Sequence, residues 1–321
     1  MSIIRCINWR CIIFCFVFTN SFSQDGSSLV KPCLENIISK YPNVRDLAIS
    51  PLGNEMYFSL QGYQGELSTI LFVHLQKDSV YSEPIVAPFS GKYLDLEPSF
   101  SPDGLKLFFV SNRPLSPTSN EVKDYDIWYL ERTNLTSDWS KPINMGAPIN
   151  SSYNEFYPSI TNSKNLYFTC DEGKTKGKDD IFVSKWVNGK YTEPESLSDS
   201  INSEGYEFNA FVSPDENYLI YTCYNRPLSS GSGDLYISYK LKSDDWSLAQ
   251  NMGERINSAQ MDYCPFVDSK GTFYFTSKRN ELSKTFDSIK NIDQILAELN
   301  KFQNGLSRLY KVEKIDLKMK E

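Results

Sequence analysis

The fold class this sequence predicts is all-β: a single propeller of four-stranded blades. Three observations predict it. A corner motif recurs as Ile149-Asn150-Ser151, Ile201-Asn202-Ser203 and Ile256-Asn257-Ser258, and an acid follows each serine by four residues, at Glu155, Glu207 and Asp262. A weaker copy reads Phe89-Ser90-Gly91 and then Asp95, so the acids 95, 155, 207 and 262 stand 60, 52 and 55 residues apart. A period of that length marks a repeat architecture. Within each period, short apolar runs alternate with turn signals, as strands and their hairpins do. Aromatic residues make up 14% of the chain, and such residues favour pleated, half-buried surfaces.

The N-terminal segment 1–23 reads as a signal peptide. Arg5 and Arg10 supply positive charge, the apolar run from Cys11 to Phe18 follows, and Ser21-Phe22-Ser23 puts small residues where a signal peptidase reads. Eight apolar residues are too few to span a bilayer. The expectation is an exported protein, periplasmic or extracellular, with an outer-membrane association left open and no membrane span after cleavage. The propeller domain then covers 24–321.

Each repeat supplies four strands. In the second, Glu97-Pro98-Ser99-Phe100 leads into the turn Ser101-Pro102-Asp103-Gly104, where Pro presets φ and Gly takes positive φ. Leu105 to Val110 returns, Asp126 to Leu130 is the third strand, and Trp139 to Gly146 carries the fourth to the next corner. The other turns fall at 49–53, 161–164, 213–216 and 268–271. The repeats span about 44–89, 93–149, 153–201, 204–256 and 260–313. The first is degenerate, and the last lacks an obvious fourth strand. Lys31-Pro32 stands 17 residues before Ile49, much as Lys141-Pro142 stands 18 before Ile160. Leu29 to Leu34 is therefore expected to complete the last blade and close the ring, which removes an open edge. Five blades are expected, with six left open by the segments 24–48 and 280–321. One departure stands out: between Arg279 and Arg308, Phe286, Ile289, Ile292, Ile295, Leu296, Leu299 and Phe302 recur at three-to-four spacing before Gly305. That predicts an amphipathic helix inserted at 284–303, packed on its own blade or serving as a docking element.

The formal charge is −7 with both signs interspersed, so nucleic acid is not an expected partner. Four cysteines follow the N-terminal segment: Cys33, Cys170, Cys223 and Cys264. Cys170 and Cys223 occupy equivalent positions in neighbouring repeats, too far apart for a disulfide, so free buried thiols are expected. The only histidine is His74, which excludes multi-histidine metal sites and leaves any histidine-based triad dependent on that residue.

The repeats carrying Ser101-Pro102-Asp103-Gly104 with Ser111-Asn112-Arg113, and Ser213-Pro214-Asp215 with Asn225-Arg226-Pro227, resemble the TolB-like β-propeller family of exported bacterial proteins, whose Pro-Asp repeat is WD-repeat-like. The resemblance covers about residues 44–311. It implies the propeller fold and, for function, a role in envelope assemblies through protein–protein contacts.

Asp95, Glu155, Glu207 and Asp262 are expected at the channel mouth on the face that carries the long loops, with Arg113, Arg226 and Arg279 rising beside them. Such an acidic ring would hold a basic peptide group or a cation, Ca2+ being the ion that oxygen ligands suit; otherwise no cofactor is expected. Its repetition also fits a structural role, each acid doing the same job in its blade. The leading expectation is a non-catalytic scaffold whose partners are envelope or secreted proteins. The alternative is a glycan-binding propeller or a glycoside hydrolase, which would need only two carboxylates at the right separation.

Overall fold

A computed structural model describes residues 29–76, 80–116, 118–119, 121–171, 175–224, 226–227, 229–283, 285, 291–313 and 315–317. The predicted signal segment 1–23, and Phe286 and Ile289 of the predicted helix, lie outside the described residues.

Five four-stranded antiparallel sheets form a five-bladed propeller. Counted from the inside, blade 1 holds strands Asn43–Ile49, Glu55–Gln61, Ser68–His74 and Ile85–Val86. Blade 2 holds Asp95–Phe100, Lys106–Ser111, Asp126–Glu131 and Ile143–Asn144. Blade 3 holds Glu155–Ile160, Leu166–Cys170, Asp180–Ser184 and Glu195–Ser196. Blade 4 holds Tyr206–Val212, Tyr218–Tyr224, Asp234–Tyr239 and Gln250–Asn251. Blade 5 is built from both ends of the chain: Asp262–Val267, Phe273–Ser277 and Arg308–Val312 are joined by Lys31–Pro32. Lys31 pairs with Lys311 and Pro32 with Tyr310, and the Cys33 N–H donates to the Leu309 carbonyl at 2.8 Å. The N-terminal clasp thus covers the edge that the ring would otherwise expose.

The five predicted turns between first and second strands all close with an i to i+3 hydrogen bond, from Gly53, Gly104, Lys164, Glu216 and Gly271 back to Ser50, Ser101, Thr161, Ser213 and Asp268. Each closing residue has positive φ, between 58° and 79°. Three are glycine, for which that conformation costs nothing sterically; Lys164 and Glu216 adopt it without that help.

The core lies mainly between blades. Tyr57, Ile70, Leu107, Phe109 and Trp128 fill the seam between blades 1 and 2. Tyr167, Ile181, Leu219, Tyr221 and Trp246 fill that between blades 3 and 4. The largest cluster joins blades 4, 5 and 1 and takes in Val30 and Cys33 beside the clasp, and Ile38 just after it. All four described cysteines are buried, and none forms a disulfide among the described residues. His74 is exposed at the end of its strand.

A helix spans Ile292–Leu299, shorter than the expected 284–303: Asn291 starts it through a reciprocal capping box with Gln294, and Thr285 and residues 300–303 lie outside it. None of its residues is buried; Ile292, Ile295, Leu296 and Leu299 all face solvent. Its tether is Phe302, which is buried and meets Tyr310 edge-on with ring centroids 5.6 Å apart. Among the described residues no helix is long and apolar enough to cross a membrane.

Candidate functional site

The repeated corner has a local physical job. The side chain of Asn150 accepts from the Ile127 N–H at 3.0 Å and donates to the Ile127 carbonyl at 2.9 Å. Asn202 does the same to Ile181 and Asn257 to Leu235. Each asparagine imitates a strand neighbour, satisfying both backbone groups of the third strand where the fourth strand leaves it. The serine then holds the acid: the Ser151 hydroxyl donates to Glu155 at 2.5 Å, Ser203 to Glu207 at 2.6 Å and Ser258 to Asp262 at 2.8 Å.

Asp95, Glu155, Glu207 and Asp262 stand at the long-loop ends of the innermost strands, and all four are fully buried. Three of them face the expected arginines. Arg113 reaches Asp95 at 2.6 Å, Arg226 reaches Glu207 at 3.6 Å and Arg279 reaches Asp262 at 3.4 Å. The same guanidinium groups donate to the corner carbonyls of Phe89, Ile201 and Ile256. Acid, arginine and corner therefore form one stitch per blade. Burial pushes the Asp262 carboxyl up, with Arg279 and Ser258 pulling against it.

Blade 3 departs from this rule. The sequence carries Glu172 and Gly173 where the other blades carry the arginine. Glu155 has no cation partner among the described residues, and its Oε2 is buried with no hydrogen-bond partner. Burial pushes its carboxyl up to about 7, against the pull of Ser151.

A second ring lies two residues further along each innermost strand. All five strands carry a register shift there, and the residue within it has positive φ: Asp46 (60°), Glu97 (56°), Tyr157 (50°), Asn209 (52°) and Cys264 (53°). Such bulges bend a strand and re-aim a side chain. Here the re-aimed side chains meet across the ring. Arg45 donates to Asp46 at 2.6 Å and to Glu97 at 2.8 Å. Asn209 donates to the same Glu97 oxygen at 3.2 Å, while the Tyr157 N–H donates to the other at 2.7 Å. The Cys264 thiol donates to Asp46 at 2.8 Å. Burial, with Asp46 adding to it, pushes Glu97 up to about 7 against the pull of Arg45.

Above this layer, on the long-loop face, opens a cavity of about 690 Å³. Arg45, Glu97 and Asn209 form its floor, Phe156 and Phe208 part of its wall, and Asp179 and Lys278 lie at its rim. The size suits a ligand pocket. None of the four repeated acids lines it. Sequence reasoning missed the axial ring because its members share a position but no residue type; the usable signal was the offset of two residues from each repeated acid. Among the described residues, no group of three or more histidine, cysteine or acidic side chains is placed to hold a metal ion.

No protein-family model matches the sequence, and no curated protein matches it. Solved structures share its architecture. A glycoside hydrolase is similar with a TM-score of 0.54 at 7% identity, covering 86% of this chain and 88% of that one. BT0996, solved in a complex with RGII, gives 0.53 at 7% identity over 85% and 87%. TolB from Acinetobacter baumannii gives 0.48 at 15% identity over 75% of this chain. This chain matches about half the length of that TolB chain, 50%. At these identities the likeness is one of fold: the chain is a five-bladed β-propeller.

Proposed function

We propose that this chain is a non-catalytic, exported propeller that binds a segment of another envelope or secreted protein in the axial pocket of its long-loop face. The observation that carries this reading is the state of Glu97. Both of its oxygens are already engaged, Oε1 by Arg45 and Asn209 and Oε2 by the Tyr157 N–H. A carboxylate held this way fixes a pocket floor better than it shuttles a proton. Two acids, Asp46 and Glu97, face one guanidinium, so the floor carries an excess of negative charge when both are ionised and favours a lysine, arginine or amide donor. Phe156 and Phe208 supply apolar contact around it. Rigid rings that present loops commonly bind in this manner. The reading needs no cofactor, and a calorimetric titration with Ca2+ is expected to be flat.

A second reading has one observation in its favour. Glu97 sits up at about 7 in a cavity open to solvent, the range a general acid needs in a glycoside hydrolase. One experiment separates the two. The tagged chain is cross-linked and co-purified from its native cell envelope, alongside Phe208→Ala and Glu97→Gln. Stoichiometric partners lost in Phe208→Ala support the binding module. An empty pull-down, with glycan turnover that disappears in Glu97→Gln, supports the hydrolase.

A further inference from the structure

Between the third and fourth strands, blades 1 to 4 each send one bulky side chain toward the preceding blade. These residues are Tyr81, Trp139, Tyr191 and Trp246 in blades 1 to 4. Where the residue is tryptophan, it plugs the seam. Trp139 donates its indole N–H to the Tyr57 hydroxyl of blade 1 at 3.2 Å. Trp246 is buried and meets Tyr167 of blade 3 edge-on at 6.2 Å. Where it is the smaller tyrosine, a cavity lies in the seam: about 260 Å³ beside Tyr81, and about 970 Å³ beside Tyr191 between blades 2 and 3.

The residue paired across from this plug also departs in blade 3. Arg132 pairs with Trp139 at 4.2 Å in blade 2, and Lys240 with Trp246 at 4.9 Å in blade 4, both as cations over the ring. In blade 3 the position is Trp186, packed edge-on to Tyr191 at 4.8 Å. A two-residue hairpin holds the pair, Trp186–Val187 with Lys190–Tyr191, turned by Asn188 and Gly189 at positive φ. An aromatic thus stands where blades 2 and 4 carry a cation and blade 1 carries Leu75, beside a seam whose outer part is open. Residues that obey the repeat are explained by it; this pair is not.

We infer that the cleft between blades 2 and 3 is a binding site for a neutral oligosaccharide, separate from the axial pocket. It opens toward the opposite face, that of the Pro-Asp turns, since Ser101, Pro102 and Asp103 line it. Its volume lies at the upper end for ligand pockets. Half-buried Tyr129, Trp186 and Tyr191 offer aromatic surface for the CH-rich faces of sugar rings. The charged lining residues are balanced, Asp103, Glu131 and Asp138 against Lys106, Arg132 and Lys164. Lys106 pairs with Glu131 of the same lining at 3.2 Å, and Arg132 with Glu55, which stands outside it, at 2.9 Å. A rim so nearly balanced has little net field to draw an ion, yet it supplies donors and acceptors to hydroxyl groups.

The test uses the full exported chain and four neutral hexasaccharides: cello-, xylo-, manno- and chitohexaose. Binding is read by calorimetry and by the intrinsic indole fluorescence, to which both Trp139 and Trp186 of this cleft contribute. At least one sugar is expected to bind, and Trp186→Ala to weaken it by about tenfold or more. Tyr191→Trp narrows the cleft by the difference between the two rings, so it should weaken binding while the melting temperature holds or rises. Binding to none of the four overturns the proposal. So does binding that survives both substitutions, or that is lost in Phe208→Ala of the axial pocket instead.

Discussion

The guanidinium of Arg45 lies 2.8 Å from Oε1 of Glu97, joining the innermost strand of blade 1 to that of blade 2 across the ring. The same group holds Asp46 at 2.6 Å. Both acids are almost fully buried, and a buried charge is tolerated only when it is paired. Arg45→Met leaves them with no counter-charge and is expected to cost about 3–5 kcal/mol. Urea unfolding checks this as a drop in midpoint at unchanged slope. Adding Glu97→Gln to the variant should recover part of the loss; a double variant no better than the single one would count against an electrostatic cause.

Glu155 makes the propeller's stability depend on pH in an unusual direction. Its ordinary value is 4.5, and burial raises it to about 7 in the fold. The folded state therefore holds this proton more tightly than the unfolded chain does. The contribution is full below about pH 4.5 and is lost as pH rises through about 7. Glu97, also raised to about 7, adds in the same sense. Glu155→Gln keeps an uncharged side chain there at every pH. It is expected to be more stable than the parent at about pH 8, by on the order of 2 kcal/mol, with the gain gone near pH 4.5. Melting curves at the two pH values decide it, since an equal gain at both means that the carboxyl does not titrate in that window.

The corner asparagines carry their weight through backbone pairing rather than through a site. Asn202 is buried and closes both backbone groups of Ile181. Asn202→Ala takes the partner from the Ile181 N–H, while the Ile181 carbonyl keeps the Leu197 N–H at 2.9 Å, at a cost of about 1–3 kcal/mol. Asn202→Asp separates the two halves of the interaction, because it retains the acceptor and loses the donor. The expected order of stability is parent, then Asp or Ala well below it, read from chemical denaturation of each.

Much of this fold was legible because its devices are local. The Ser-Pro-Asp-Gly turn announces itself through backbone chemistry, and the Lys31-Pro32 clasp through its spacing from Ile49. The corner motif was legible as a repeat, yet its job was not. That Asn150 imitates a strand neighbour emerges only once the third strand lies beside it. The axial ring was hidden for a different reason. Asp46, Glu97, Tyr157, Asn209 and Cys264 are unlike one another, so no pattern of residue type connects them, and only the five bulges bring them to one level. The helix was legible by its period, expected over 284–303 and found at Ile292–Leu299, but its exposure was not, because periodicity reports an apolar face and never what covers it.

That exposure sets a further expectation. Leu296→Glu and Ile292→Ser fall on a helix with no buried residue, so each should change stability by no more than about 0.5 kcal/mol. Phe302→Ala removes a buried ring packed on Tyr310 and should cost about 3 kcal/mol or more. Thermal melts of the three variants test the division between tether and helix. A loss in Leu296→Glu as large as that in Phe302→Ala would show that the helix packs against the blade in solution.

The clasp gives the sharpest mechanical prediction. Blade 5 has its outer edge at Arg308–Val312, and the only described strand covering that edge is Lys31–Pro32. Val30 and Cys33 beside it are buried in the seam joining blades 5 and 1. A chain beginning at Leu34 loses both the pairing and this apolar burial, and it presents an open strand edge that invites pairing with another copy. A chain beginning at Leu29 keeps all of them. The longer chain is expected to run as a discrete species in size-exclusion chromatography with light scattering, and the shorter to melt lower and to shift toward oligomers with rising concentration. Concentration dependence is the deciding readout, because a merely destabilised monomer would melt lower without it. If the two chains behave alike, the ring holds closed without its N-terminal strand, and the seam clusters alone account for closure.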